Sequence, residues 1–151
     1  MNKKSQSGQS LIELVVGVAI SVLFLTGALG IIMVTLKLDF QNKYGQAASE
    51  LAQEITEQVT SIANADWHYI DDPTLPHGVE NLYHIEKDAG FLVIRSDAYP
   101  ITLNNQPYST YFTIEDIASD PTTLKITAHI TWNDNGELNE TIFTRYIARN
   151  R

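Results

Sequence analysis

Cysteine is absent from the 151-residue chain, which excludes a disulfide framework and a thiolate metal site. Basic residues are scarce: 10 Lys and Arg stand against 18 Asp and Glu, a formal charge of -8, with a pI of about 4.8. An acidic surface of this kind repels phosphate, so direct nucleic-acid binding is not expected. No G-x-S-x-G elbow, phosphate-binding loop or glycine fingerprint occurs. Nothing therefore sets a nucleophile beside a base, and the chain reads as a non-enzyme that needs no cofactor. His68, His77, His84 and His129 are scattered, with no pair at helical ligand spacing; they read as surface or core histidines, and no metal site is expected. Asp134-Asn135-Gly136-Glu137 has oxygen donors that suit calcium, but it is shorter than an EF-hand loop and its simplest role is a turn.

What the chain does have is a sharp division. Its mean hydropathy of -0.12 averages a greasy N-terminal stretch with a polar remainder, and its length suits one hydrophobic core. From Leu14 to Leu36 no residue is charged; a run of about 23 residues at 1.5 Å each crosses a hydrocarbon core of roughly 30 Å as a helix. Lys3 and Lys4 precede the run, and Lys37 and Asp39 follow it. The positive-inside bias then puts the N-terminus in the cytoplasm and the remainder outside, in a single pass through the cytoplasmic membrane. A secretory signal cleaved within residues 26–30 fits less well, because the apolar run continues to Leu36.

Glu13 stands inside the apolar sequence Leu11-Ile12-Glu13-Leu14-Val15-Val16. An ionisable group in a spanning helix costs up to about 2.5–3.5 kcal/mol at mid-bilayer and less near the interface, and it seeks a partner. The plain alternative is a carboxylate that snorkels to the headgroups from the first helical turn.

Lys3-Lys4, Gly8 and Gln9-Ser10-Leu11-Ile12-Glu13, followed by a charge-free helix, resemble the prepilin signal of type IV pilins and type II secretion pseudopilins. The resemblance covers about 30 residues and implies cleavage by a prepilin peptidase between Gly8 and Gln9 on the cytoplasmic side. Glu13 becomes the fifth mature residue, where the family keeps a glutamate. Gln9 stands where the family usually has an aromatic residue or methionine, often N-methylated, so Gln9 is the position such a methyl group would occupy. A freed α-amino group is a cation near pH 7, and a carboxylate one turn along can compensate the amine of a neighbouring subunit. Chains beginning Gln-Ser-Leu-Ile-Glu look most like minor pilins. The stretches around residues 51–54, Trp67, 111–117 and 125–132 are similar to PilV-like minor pilins with a strand ending in tryptophan.

The resemblance implies a structural subunit of a type IV pilus or pilus-like filament. Its partners would be other pilin subunits, an assembly platform and an ATPase, and it would end in an extracellular pilus or a periplasmic pseudopilus. A type II secretion pseudopilin or competence pilin remains an alternative, as does a single-pass anchored adhesin or binding module that does not polymerise.

Gly17, Gly27 and Gly30 interrupt the span; each weakens a helix, yet Gly17 with Ser21 forms a small-xxx-small pair that lets helices approach. Beyond the span Ala48, Leu51, Ala52, Ile55, Val59, Ile62 and Ala63 recur at three- and four-residue spacing, as on one face of a helix. One helix over residues 10–63 is expected, with a break near Tyr44-Gly45 as the alternative. Residues 64–78 read as a loop. Strands are expected at 81–86, 91–95, 109–117, 124–132 and 141–148, joined as a sequential antiparallel meander. Ile126, Ala128, Ile130 and Trp132 should share the face that packs on the helical stripe, with Lys125, Thr127, His129 and Thr131 opposite. Trp67, Tyr69, Tyr83, Tyr99, Tyr108 and Tyr111 are expected to pack the core in preference to forming an exposed binding surface. The expected class is α+β: a long N-terminal helix, transmembrane in its first half, packed on a C-terminal antiparallel sheet as in the pilin fold. It divides into a leader (1–8), a transmembrane and polymerisation helix (9–38), its amphipathic continuation (39–64) and an extracytoplasmic β domain (65–151).

Overall fold

The computed structural model describes the backbone of residues 6–134 and 136–149, and the side chains of 11–134 and 136–149. Helix α1 spans Gln6–Ala65, followed by a short helix α2, Trp67–Ile70. Six strands come next: β1 (Tyr83–Asp88), β2 (Phe91–Ser96), β3 (Tyr99–Leu103), β4 (Gln106–Ile117), β5 (Asp120–Asp134) and β6 (Glu137–Ala148). The expected α+β layout of one long helix and an antiparallel sheet is present. Two compact units are distinguished, residues 1–42 and 43–151.

Helical backbone reaches further forward than the glycine and serines of the leader imply, for α1 already includes Gln6, Ser7 and Gly8. Once a helix is nucleated, each added residue contributes a hydrogen bond without repeating the nucleation cost. The same economy carries α1 through Gly45 without a break. Within residues 64–78, expected as loop, Asp66 caps α2 by accepting a hydrogen bond from the His68 amide at 3.0 Å. An Asp at this position satisfies an amide that the first turn leaves open.

In the second unit one core joins helix and sheet. Ala48, Leu51, Ala52, Val59, Ile62 and Ala63 of α1 are buried in one cluster with Tyr83, Ile94, Tyr108, Phe112, Ile114, Leu124, Ile126, Ala128, Ile130, Trp132 and Ile147. Ile55 packs against it partly buried, and Thr56 is buried beside it, its hydroxyl donating to the Gln53 carbonyl at 2.9 Å. The buried phenols keep their polar ends bonded: Tyr108 donates to the Tyr44 carbonyl at 3.3 Å and Tyr83 to the Pro76 carbonyl at 2.7 Å. Burial raises both tyrosines above their ordinary value of 10.0, because the phenolate loses its hydration. Trp67 and Tyr69 pack against the core partly buried, while Tyr99 is exposed and Tyr111 half-buried.

The sheet order is β2-β1-β4-β5-β6, with β3 paired to β4 off that path. A sequential meander is therefore corrected at one join. Strand β1 pairs with β4 through Tyr83 and Phe112, while β3 takes residues 106–110 of the same strand. The reason lies in the length of β4: its twelve residues give β3 and β1 separate stretches to pair with. β3 escapes a pattern search because it is five residues long and contains Pro100, which lacks the amide a ladder needs. The β3–β4 turn is nonetheless written plainly, for Asn104 and Asn105 both take positive φ, 51° and 63°, as a two-residue hairpin requires. β5 continues past Trp132 to Asp134, so the strand does not end at the tryptophan.

Phe112 is fully buried, whereas Phe91 is 75% exposed. Phe112→Ala should lower the unfolding free energy by about 3–5 kcal/mol, and Phe91→Ala should change it by less than about 0.5 kcal/mol. Denaturant unfolding of the full chain in detergent, followed through the β-sheet circular dichroism signal, measures the difference.

Candidate membrane and assembly segment

Among the described residues the N-terminal unit is one helix, from Gln6 onward, and the surface of that helix follows from its residue types. Leu, Ile, Val, Met and Phe occupy every side of residues 14–36, so no polar face exists to turn towards water. The side chains are correspondingly uncovered: Leu23, Phe24 and Met33 are 72%, 76% and 72% exposed. The helix is long and apolar enough to cross a membrane, and its most apolar stretch is not buried in the protein. An apolar helix left bare by its own chain is stable only in hydrocarbon or against other apolar helices.

The three hydroxyl side chains of residues 14–36 are satisfied inside the helix. The hydroxyls of Ser21, Thr26 and Thr35 donate to the carbonyls of Gly17, Val22 and Ile31 at 2.8, 2.8 and 3.0 Å. Each bond reaches one turn back, so none of these hydroxyls enters lipid unpaired. Apart from the helix's own nearby backbone and the adjacent residues, nothing crowds the space where a side chain would stand at Gly17, Gly27 or Gly30, so these glycines leave open notches on the helix surface. Around Gly27 the notch widens into a shallow apolar groove lined by Ile20, Leu23, Phe24, Ala28 and Ile31.

The residues singled out in the sequence fall as follows. Gly8 and Gln9 are helical in backbone, and their side chains are not described. Glu13 is on α1 and exposed; among the described residues no cation pairs with it. Lys3 and Lys4 lie outside the described residues. Elsewhere, no group of three or more His, Asp or Glu side chains among the described residues is arranged to hold a metal ion. Of Asp134-Asn135-Gly136-Glu137, Asn135 lies outside the described residues, and the Gly136 amide donates to Asn133 Oδ1 at 2.8 Å.

Several polar contacts had no signature in the sequence. Glu115 and Asp116 point to opposite faces, as adjacent strand residues do. Glu115 accepts from Lys125 Nζ at 2.9 Å and Asp116 meets His77 Nδ1 at 2.7 Å. The Glu115 hydrogen bond raises Lys125 above its ordinary value of 10.5. Tyr111 stacks on His129 with ring centroids 4.7 Å apart, and His129 Nδ1 lies 2.8 Å from Glu140 Oε1. These pairs join strands through registers that sequence alone does not fix; for the stack, the clue would have been an aromatic and a histidine directly opposite each other.

Residues 3–29 match the family model described as the prokaryotic N-terminal methylation motif. No curated protein and no solved structure matches the chain. The matched segment takes in Lys3, Lys4, Gly8, Gln9, Glu13 and the apolar run as far as Leu29. The N-terminus therefore carries a type IV pilin-like prepilin signal, consistent with membrane anchoring. Such a motif marks a pilin-like or pseudopilin-type precursor and points to a structural role more than a catalytic one.

A charge at the middle of the bare helix tests its solvent directly. Leu25→Arg costs about 2.5–3.5 kcal/mol at a helix centre, so much of the variant should leave the carbonate-resistant membrane pellet while the parent chain stays in it.

Proposed function

We propose that the chain is a structural subunit, a minor pilin, of a type IV pilus or pilus-like filament. The observation that carries this reading is an apolar helix left uncovered by its own chain, which opens with a prepilin-type signal. The precursor sits in the cytoplasmic membrane with residues 1–8 inside, and prepilin peptidase cuts between Gly8 and Gln9. Residues 9–38 then span the membrane and serve as the polymerising element, 39–64 continue the helix, and 65–151 form the domain displayed outside.

Glu13 supports the assembly step. It lies one helical turn from the amine that cleavage frees on Gln9, it is exposed, and it has no cation partner among the described residues. In a bundle of such helices the Glu13 carboxylate of one subunit compensates the Gln9 amine of the next, and a charge left without that partner costs several kcal/mol. Gln9 is also the residue N-methylation would modify. The open notches at Gly17, Gly27 and Gly30 favour close helix approach. Assembly platform and ATPase would supply the work of extraction from the membrane. Gln9 in place of an aromatic residue, together with the likeness to PilV-like chains, favours a minor subunit.

Mass spectrometry of the mature chain from cells that make prepilin peptidase should find Gln9 first, and Gly8→Ala should leave the leader attached. An intact leader in the parent chain, or a cut near Ala28, overturns the reading. Glu13→Gln should still be cut, yet enter purified filaments more than about tenfold less well, since each 1.4 kcal/mol is a factor of ten. Incorporation equal to that of the parent removes the role given to Glu13.

A further inference from the structure

Away from the N-terminal segment, a polar cluster ties the loop after α2 to the end of β4. The His77 side chain is 12% exposed, and both its ring nitrogens face oxygen acceptors. Nδ1 lies 2.7 Å from Asp116 Oδ1, and Nε2 lies 2.9 Å from the Ile70 carbonyl oxygen. A neutral imidazole has one N–H and one lone pair. Either tautomer therefore turns a lone pair on one of these oxygens, while the imidazolium donates to both. The same segment is tied by the Gly78 amide donating to the Ile114 carbonyl at 2.7 Å and by the Asn81 amide donating to the Gly78 carbonyl at 3.1 Å.

We propose that His77 is a proton-operated latch: the doubly protonated ring fastens the 71–82 loop between the end of α2 and the end of β4, and loss of one proton undoes one of its two holds. The charges acting on the ring are Asp116 from β4 and Asp71 at the end of α2, both acidic. Burial works against the charged ring, but the Ile70 carbonyl, the Asp116 hydrogen bond and the two carboxylate charges outweigh it and raise His77 above its ordinary value of 6.5. Asp116 is 70% exposed, so solvent screens its charge; the carbonyl of fully buried Ile70 is the acceptor that water cannot replace. For a group raised on folding, the stabilisation is complete below the unfolded value and is lost as pH climbs through the folded one. The latch is thus fully shut below about 6.5 and is released only as pH climbs through the higher value the ring has in the folded protein. Opening loosens Leu75, which packs against the core from this loop.

The test uses the full chain in detergent micelles. Nitrogen NMR of the His77 ring across neutral pH should show both nitrogens protonated above 6.5. Once corrected for intrinsic exchange, protection of the Gly78 and Asn81 amides should fall on deprotonation, about tenfold for each pH unit by which the His77 midpoint exceeds the ordinary value. Asp116→Asn, at an exposed position, should lower the midpoint and shrink the change in protection; His77→Gln should abolish its pH dependence. A His77 midpoint at or below the ordinary value overturns the latch, as does pH-dependent protection that Asp116→Asn leaves unaltered.

Discussion

The burial of one helical stripe against one sheet face is the contact on which the second unit rests. Ala48, Ala52, Val59 and Ala63 contribute small, close-approaching surfaces, and Phe112, Ile114, Ile126 and Ile130 fill the space opposite them with large ones. Neither partner is stable alone: the helical segment would show its apolar stripe to water, and the sheet would show an entire face. Small against large lets the two interdigitate at interior density. Polar and aromatic contacts continue from that cluster towards the helix. The phenol of Tyr108 reaches the Tyr44 carbonyl, and Trp132 lies tilted on Tyr108 at 5.9 Å between ring centroids.

Residues 6–42 obey a different rule within the same secondary structure. Hydrophobic periodicity is a device for choosing a side, and a helix apolar all round has no side to choose. Hydroxyls that bond one turn back and glycines that leave notches are consistent with a surroundings of lipid and helices rather than water. The long helix therefore changes the medium it is written for, from one that accepts any apolar side chain to one that demands a packed partner.

How much of this is legible in sequence depends on whether the governing pattern is local. The period of Ala48 to Ala63 and the alternation of Ile126, Ala128, Ile130 and Trp132 are local, and both faces can be read directly. The N-terminal signal is an ordered set of types within 30 residues, so it too is readable. The pairing of β1 with β4 is not, because a strand's alternation says which face is buried but not which neighbour lies beside it. His77 was invisible for the same reason: its partners are seven and thirty-nine residues away, in a histidine set with no spacing of its own. The capped turn at Trp67–Ile70 was hidden by a loop composition that an Asp cap also satisfies.

The non-sequential join has a consequence for the order in which the chain reaches this structure. β3, β4, β5 and β6 are linked by hairpins whose strands are neighbours in sequence, and closing such short loops sacrifices little chain entropy. The β1–β2 hairpin is local within itself, but its attachment to β4 must bring Tyr83 to Phe112 across the whole of β2 and β3. Contacts of that separation form late, because the entropy of closure is lost before any packing rewards it. The sheet thus consists of two locally connected ribbons, and the seam between them, beside the loop that His77 holds, closes over a longer stretch of chain than any of the hairpins.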